Sequence, residues 1–197
     1  MIEPETLTLD WHGPIVPMAY EAPSDADALQ VPSVYIYEIG FDKVTAIYVG
    51  QTKNFIDRMY QHITAMLGLT YWLRNDRGSY GDGAYAPKAR HHFIEDLKNV
   101  RHHQAMAADS LARMTWYHAP VEPYALVHAE GMLIRRVKQL ELHAVSSDVP
   151  LMCENGNLGR APVGAAIIKN KGAARPCDLL GDHITWPLED TACAMPT

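Results

Sequence analysis

Two runs of β-branched and aromatic residues constrain this chain most. "VYIYEI" (34–39) and "VTAIYVG" (44–50) stand four residues apart. Side chains such as Val, Ile and Tyr fit a pleated, half-buried surface better than a helix. The joining "GFDK" (40–43) offers Gly40 and Asp42 for a reversal. Two strands joined this briefly pair as an antiparallel hairpin. Alternation puts Tyr35 and Tyr37 on one face of the first strand.

Directly after the hairpin, Asn54 is placed to cap a helix "FIDRMYQHITAML" (55–67). Phe55, Met59, Ile63 and Met66 recur at helical spacing and form its apolar face. Arg58 and His62 are four residues apart, so both project from one side. Further on, "ARMTWYHAPV" (112–121) reads as a third strand. "PYALVHAEGMLIRRVKQLELHA" (123–144) reads as a long helix: Leu126, Leu133, Val137 and Leu140 line one side, and Pro123 stands near its start. Gly, Tyr and Asp crowd residues 68–87, the mark of a long loop, and a polar helix follows over 88–107. The expectation is an α+β domain: a small three-stranded antiparallel sheet flanked by helices, with a helical insertion (68–110) and extended termini. The core spans 31–145. Residues 1–30, acidic and holding four prolines, read as an irregular arm, and residues 146–197 as a C-terminal extension.

Charge narrows the partners. The net charge of −6 looks unsuited to nucleic acid, but six acids and no Lys or Arg lie within residues 1–30. The remaining chain is neutral, and the stretch between Glu154 and Asp178 has no acid while holding Arg160, Lys169, Lys171 and Arg175. Such a surface can follow a phosphate backbone. Three widely spaced cysteines argue against a disulfide framework and for a reducing, cytoplasmic setting. No apolar run is long enough to cross a membrane, and the acidic N-terminus is no signal peptide.

With "SVY" (33–35), "YVG" (48–50), Arg58 ten residues after Tyr48, His62 one turn later, and Glu130 on the helix after the third strand, the chain resembles the GIY-YIG nucleases. Val34 and Ser33 stand where that family has Ile and Gly, and the family's later asparagine matches Asn155 or Asn157. The resemblance implies a metal-dependent DNA endonuclease of restriction or defence type. Its catalytic set is Tyr35, Tyr48, Arg58, His62 and Glu130; Glu130 holds Mg2+ or Mn2+. DNA contacts are expected from Lys53, Asn155, Lys169, Lys171 and Arg175, and a homodimer would suit a palindromic site.

These residue types also suit the chemistry on their own terms. Phosphodiester hydrolysis needs an oriented water, a proton acceptor and neutralised phosphate charge. A guanidinium pairs with phosphate oxygens in bidentate fashion, and one carboxylate with waters suits Mg2+. Either tyrosine could orient the water, with His62 as proton partner and Lys53 nearby as a cation. Two other readings compete: a non-catalytic nucleic-acid-binding module on the same scaffold, and a metalloprotein built on "RHHFIEDLKNVRHH" (90–103), where His91, Glu95 and His102 share a helix side. Trp72 and Tyr80, in the long loop, are candidates for stacking on bases.

Overall fold

The computed structural model describes residues 5–19, 29–42, 44–70, 94, 97–143 and 151–187. Trp72, Tyr80, His91 and Glu95 lie outside them, as do residues 71–87 of the loop and 88–93, 95 and 96 of the expected histidine-rich helix.

In chain order the elements are β1 (Glu5–Asp10), β2 (His12–Ile15), β3 (Ser33–Gly40), β4 (Thr45–Thr52), α1 (Phe55–Leu67), α2 (Val100–Ala112), β5 (Met114–Pro120), α3 (Leu126–His143), β6 (Leu151–Cys153), β7 (Ala166–Lys171), α4 (Arg175–Leu180) and β8 (His183–Trp186). The expected hairpin is β3–β4, paired antiparallel from Ser33–Thr52 to Gly40–Thr45. Its turn closes with Phe41 N–H donating to the Val44 carbonyl at 2.9 Å. β5 adds antiparallel to the other side of β3. These three antiparallel strands are not a sheet of their own, as expected, but the middle of a larger mixed one.

The architecture is larger than that expectation. A five-stranded mixed sheet runs β2-β5-β3-β4-β6, and a second, three-stranded sheet runs β1-β7-β8. Both chain ends supply the extra strands. β1 pairs parallel with β7, joining Leu9 to Asn170, and β6 pairs parallel with β4. Residues 5–15 are therefore strands and not an irregular arm. The physical reason is edge coverage: β2 and β6 take up the outer hydrogen-bonding groups of β5 and β4, which would otherwise be open edges.

The central sheet is covered on both sides. Tyr35, Tyr37, Ile39, Trp116 and Met114 face α1 and α2 in one core. Val34, Ile36, Val49 and Tyr117 face α3 and the second sheet in another. Burial of both faces explains why β3 reads as an almost unbroken apolar run and not as a clean alternation. One charge is buried in it: Glu38, 9 % exposed, which meets Arg175 Nε at 2.8 and 2.9 Å from its two oxygens and accepts from the Tyr117 hydroxyl at 3.4 Å. Pairing offsets the desolvation that a lone buried carboxylate would suffer.

Candidate active site

Strand register sets out the floor of the site. Gly50 and His118 both face Tyr35, and His12 faces His118, so His12, His118, Tyr35 and Gly50 form one row across four strands. The adjacent row places Tyr48 and Trp116 on either side of Tyr37. All of these point toward α1 by the two-residue period of the strands.

α1 begins as expected. Asn54 is extended and its side chain accepts from Asp57 N–H at 3.2 Å. Its buried stripe is Phe55, Met59, His62 and Met66. His62 thus takes a core position, and Ile63 is only partly buried beside it. The imidazole meets four rings edge-on, with centroids 5.9 Å from Tyr35, 5.4 Å from Tyr37, 5.5 Å from Tyr48 and 5.6 Å from Trp116. Burial, and then the Arg58 charge, hold its pKa down at about 3. A neutral imidazole accepts through one nitrogen. The Tyr35 hydroxyl lies 2.9 Å from Nε2, in hydrogen-bond contact. Arg58 Nε in turn donates to the Tyr35 oxygen at 3.2 Å, and its Nη1 donates to Gln61 at 3.1 Å. Arg58 and His62, one turn apart, therefore close on one phenol.

Tyr35 is fully buried, and burial is the main reason its pKa lies far above the usual tyrosine range; the Tyr48 and Glu130 charges add to that and Arg58 opposes it. Gly50 makes the position possible. A β-carbon there would overlap the hydroxyl end of the Tyr35 ring. Gly50 remains inside β4, so its use is room for this phenol and not the exit from the sheet.

Glu130 arrives from the other layer. It sits on α3, which packs on the far face of the sheet, yet its carboxylate feels the backbone of Gln51, at the end of β4, and the charge of Arg58. Partial burial raises its pKa, with Arg58 and the Gln51 backbone working against the rise. The site lies where the two layers meet at the end of β4. Tyr35, Arg58, His62 and Glu130 are brought together there, and partly buried Tyr48 lies 6.2 Å from Tyr35, centroid to centroid.

The other expected residues divide. Lys53 is exposed between β4 and α1, beside the site. Asn155 is buried, with its amide spent on β4: Val49 N–H donates to Oδ1 at 3.0 Å and Nδ2 donates to the Val49 carbonyl at 2.7 Å. It continues β6, whose next residue, Glu154, donates its N–H to Ile47 at 2.7 Å, so a side-chain amide replaces a strand peptide. Lys169 and Lys171 are exposed on β7, in the second sheet. Arg175 is held by Glu38 on the face of β3 opposite Tyr35. From the histidine-rich stretch, His103 is buried and its Nε2 lies 3.0 Å from the Met66 carbonyl, while His102 is exposed.

Trp116, His118 and Gln51 belong to the site and were not foreseen. The alternation Met114, Trp116, His118 was visible in the third strand, but its register against Tyr35 was not. Among the described residues no group of three or more His, Cys, Asp or Glu side chains could hold a metal. Glu130 offers one carboxylate, a donor that a hard ion can take together with water and substrate oxygens. No described helix is long and apolar enough to cross a membrane. Comparison with family models, with curated proteins and with solved structures finds no match to this chain.

Proposed function

We propose that the chain is a metal-dependent DNA endonuclease working as GIY-YIG nucleases do, in a restriction or defence role. The observation that carries this reading is the meeting of Tyr35, Arg58 and His62 in one hydrogen-bonded chain with Glu130 from the opposite layer. A binding module has no need of a neutral buried imidazole, a phenol, a guanidinium and a partly desolvated carboxylate at one point.

A Mg2+ or Mn2+ ion at Glu130 would neutralise the phosphate and stabilise the leaving oxygen. The chain's own groups do the rest. Arg58 adds positive charge beside the phosphate, and its Nε bond to Tyr35 fixes the guanidinium plane. Tyr48, only partly buried, is the hydroxyl that a water next to the phosphate reaches. Tyr35 stays a neutral phenol and holds Arg58 and His62 in register. His62, neutral at working pH, holds the Tyr35 hydroxyl in place through its Nε2. Exposed Lys53 stands at the rim for a neighbouring phosphate, and Lys169 and Lys171 are available to flanking backbone. A symmetric duplex target would suit a dimer.

Incubation with supercoiled plasmid tests the reading. Cleavage that requires added Mg2+ or Mn2+ and stops in chelator supports it; discrete fragments mark a sequence reader and a smear a nonspecific enzyme. An intact plasmid under every divalent ion tried rejects it.

A further inference from the structure

The segment from Asn155 to Arg160 is built as a bridge between the two halves of this site. Its first residue is clamped to Val49, between Tyr48 and Gly50 on β4. Its last two residues lie on α3 at Gly131, the neighbour of Glu130. A β-carbon on Gly131 would overlap the Arg160 carbonyl oxygen, and Gly159, left-handed at φ 62°, would bring its own β-carbon to 3.0 Å from the Gly131 Cα. Only two facing glycines allow backbone and helix to approach this closely. Arg135 fixes the same turn from the side, donating to the Leu158 carbonyl at 2.6 Å and to Gly159 at 3.3 Å, and Asn157 accepts from Gly159 N–H at 3.1 Å. An exposed loop on a helix has no structural need of this much fixing.

What the bridge presents is Arg160. Its backbone is held against Gly131, while its side chain is exposed and makes no hydrogen bond or ion pair with another described residue. No acid occurs from there to Asp178. Arg58 acts on Glu130 from α1, and the Arg160 backbone packs against Gly131, the next residue on α3.

We infer that Arg160 is a phosphate-binding residue, holding the nucleic-acid backbone along α3 near Glu130. The bridge fixes where the Arg160 side chain starts, on the segment that joins β4 to α3. The identity of the ligand rests on the nuclease reading above.

The test is binding of a short fluorescent DNA duplex in chelator, where no metal-dependent cleavage occurs, over about 50 to 200 mM salt. Loss of one charge-assisted phosphate contact in Arg160→Ala should weaken binding about tenfold at the low-salt end. The slope of log affinity against log salt should become shallower by about one. Arg160→Lys should keep the slope. Arg113→Ala, at the opposite end of the sheet where Arg113 pairs with Asp42 and Asp109, should change neither quantity. Wild-type affinity and slope in Arg160→Ala, a loss no larger than in Arg113→Ala, or no binding by the wild type overturns the inference. Plasmid cleavage by the wild type alongside an unaltered Arg160→Ala slope removes Arg160 and leaves the nuclease reading standing. An altered slope without cleavage under any ion removes the nuclease reading and leaves Arg160 as a backbone ligand.

Discussion

The Tyr35 hydroxyl and His62 Nε2 share a hydrogen bond at 2.9 Å, and the imidazole is 2 % exposed. This pair makes an internal unit of a strand tyrosine and a helix histidine. Tyr35→Phe leaves the His62 nitrogen and Arg58 Nε without their shared partner. The expected loss is about 1–3 kcal/mol of stability, from unmaking buried hydrogen bonds. Cleavage should fall by about a hundredfold or more as Arg58 loses its orientation. Tyr48→Phe, on a partly buried ring, should lower cleavage with little loss of stability. Chemical denaturation and plasmid-nicking rates on both variants check the division; equal destabilisation by the two would contradict it.

Gly50→Ala addresses the space that Tyr35 occupies. The new methyl would meet the end of the phenol ring. Overpacking of this kind costs about 1–3 kcal/mol. The displaced phenol should break both of its hydrogen bonds, so activity should fall more than stability does. Combining it with Tyr35→Phe should cost less than the two separate changes added together. Strict additivity would show that Gly50 and Tyr35 do not share this space.

Much of this arrangement was legible before the fold. The hairpin, the Asn54 cap, the Arg58–His62 spacing and the α3 helix are all local patterns, and each appears where periodicity and capping put it. The sheet's extent was not legible. β1 and β7 pair across most of the chain's length, and β2 and β6 are only four and three residues long. Short edge strands carry too few residues to show a period. His62 stood out in the sequence as a candidate site residue but not as a core residue, because a polar side chain in a helix reads as exposed until the four rings around it are known. Asn155 was found for the wrong contact: its amide binds a backbone that only folding brings near.

That amide bond yields a stability prediction. Asn155→Ala strips partners from the N–H and the carbonyl of Val49 in one step. A loss of about 2–4 kcal/mol is expected, from two unmade hydrogen bonds at a buried position. Asn155→Asp should be nearly as damaging, since a carboxylate cannot donate to the Val49 carbonyl. A urea midpoint unchanged in either variant would show that the clamp is idle.

His118 makes the fold sensitive to acid. It is 4 % exposed, stacks on Phe55 at 4.3 Å and on His12 at 5.4 Å, and its buried Nδ1 has no hydrogen-bond partner among the described residues. Burial, then the His12 charge, lowers its pKa to about 4. Above the ordinary histidine value it is neutral both folded and unfolded, so it favours neither state. As pH falls from about 6.5 to about 4, the unfolded chain binds a proton that the folded one refuses, and stability drops. His62 adds the same effect down to about 3. His118→Phe removes one of these protons and one unsatisfied nitrogen. It should lessen the stability lost between pH 7 and 4 by roughly 2–3 kcal/mol. Melting curves across that range would contradict the assignment if wild type and variant ran parallel.

The central claim is that Glu130, reaching round the end of β4 to the Arg58–Tyr35–His62 chain, holds the metal that cleavage needs. The most direct measurement is plasmid cleavage by wild type and Glu130→Gln side by side over a Mg2+ and Mn2+ titration, with melting temperature taken on both. The prediction is metal-dependent cleavage by the wild type, and cleavage lower by at least about a hundredfold in a folded Glu130→Gln. Equal metal-dependent cleavage by the two proteins would contradict it.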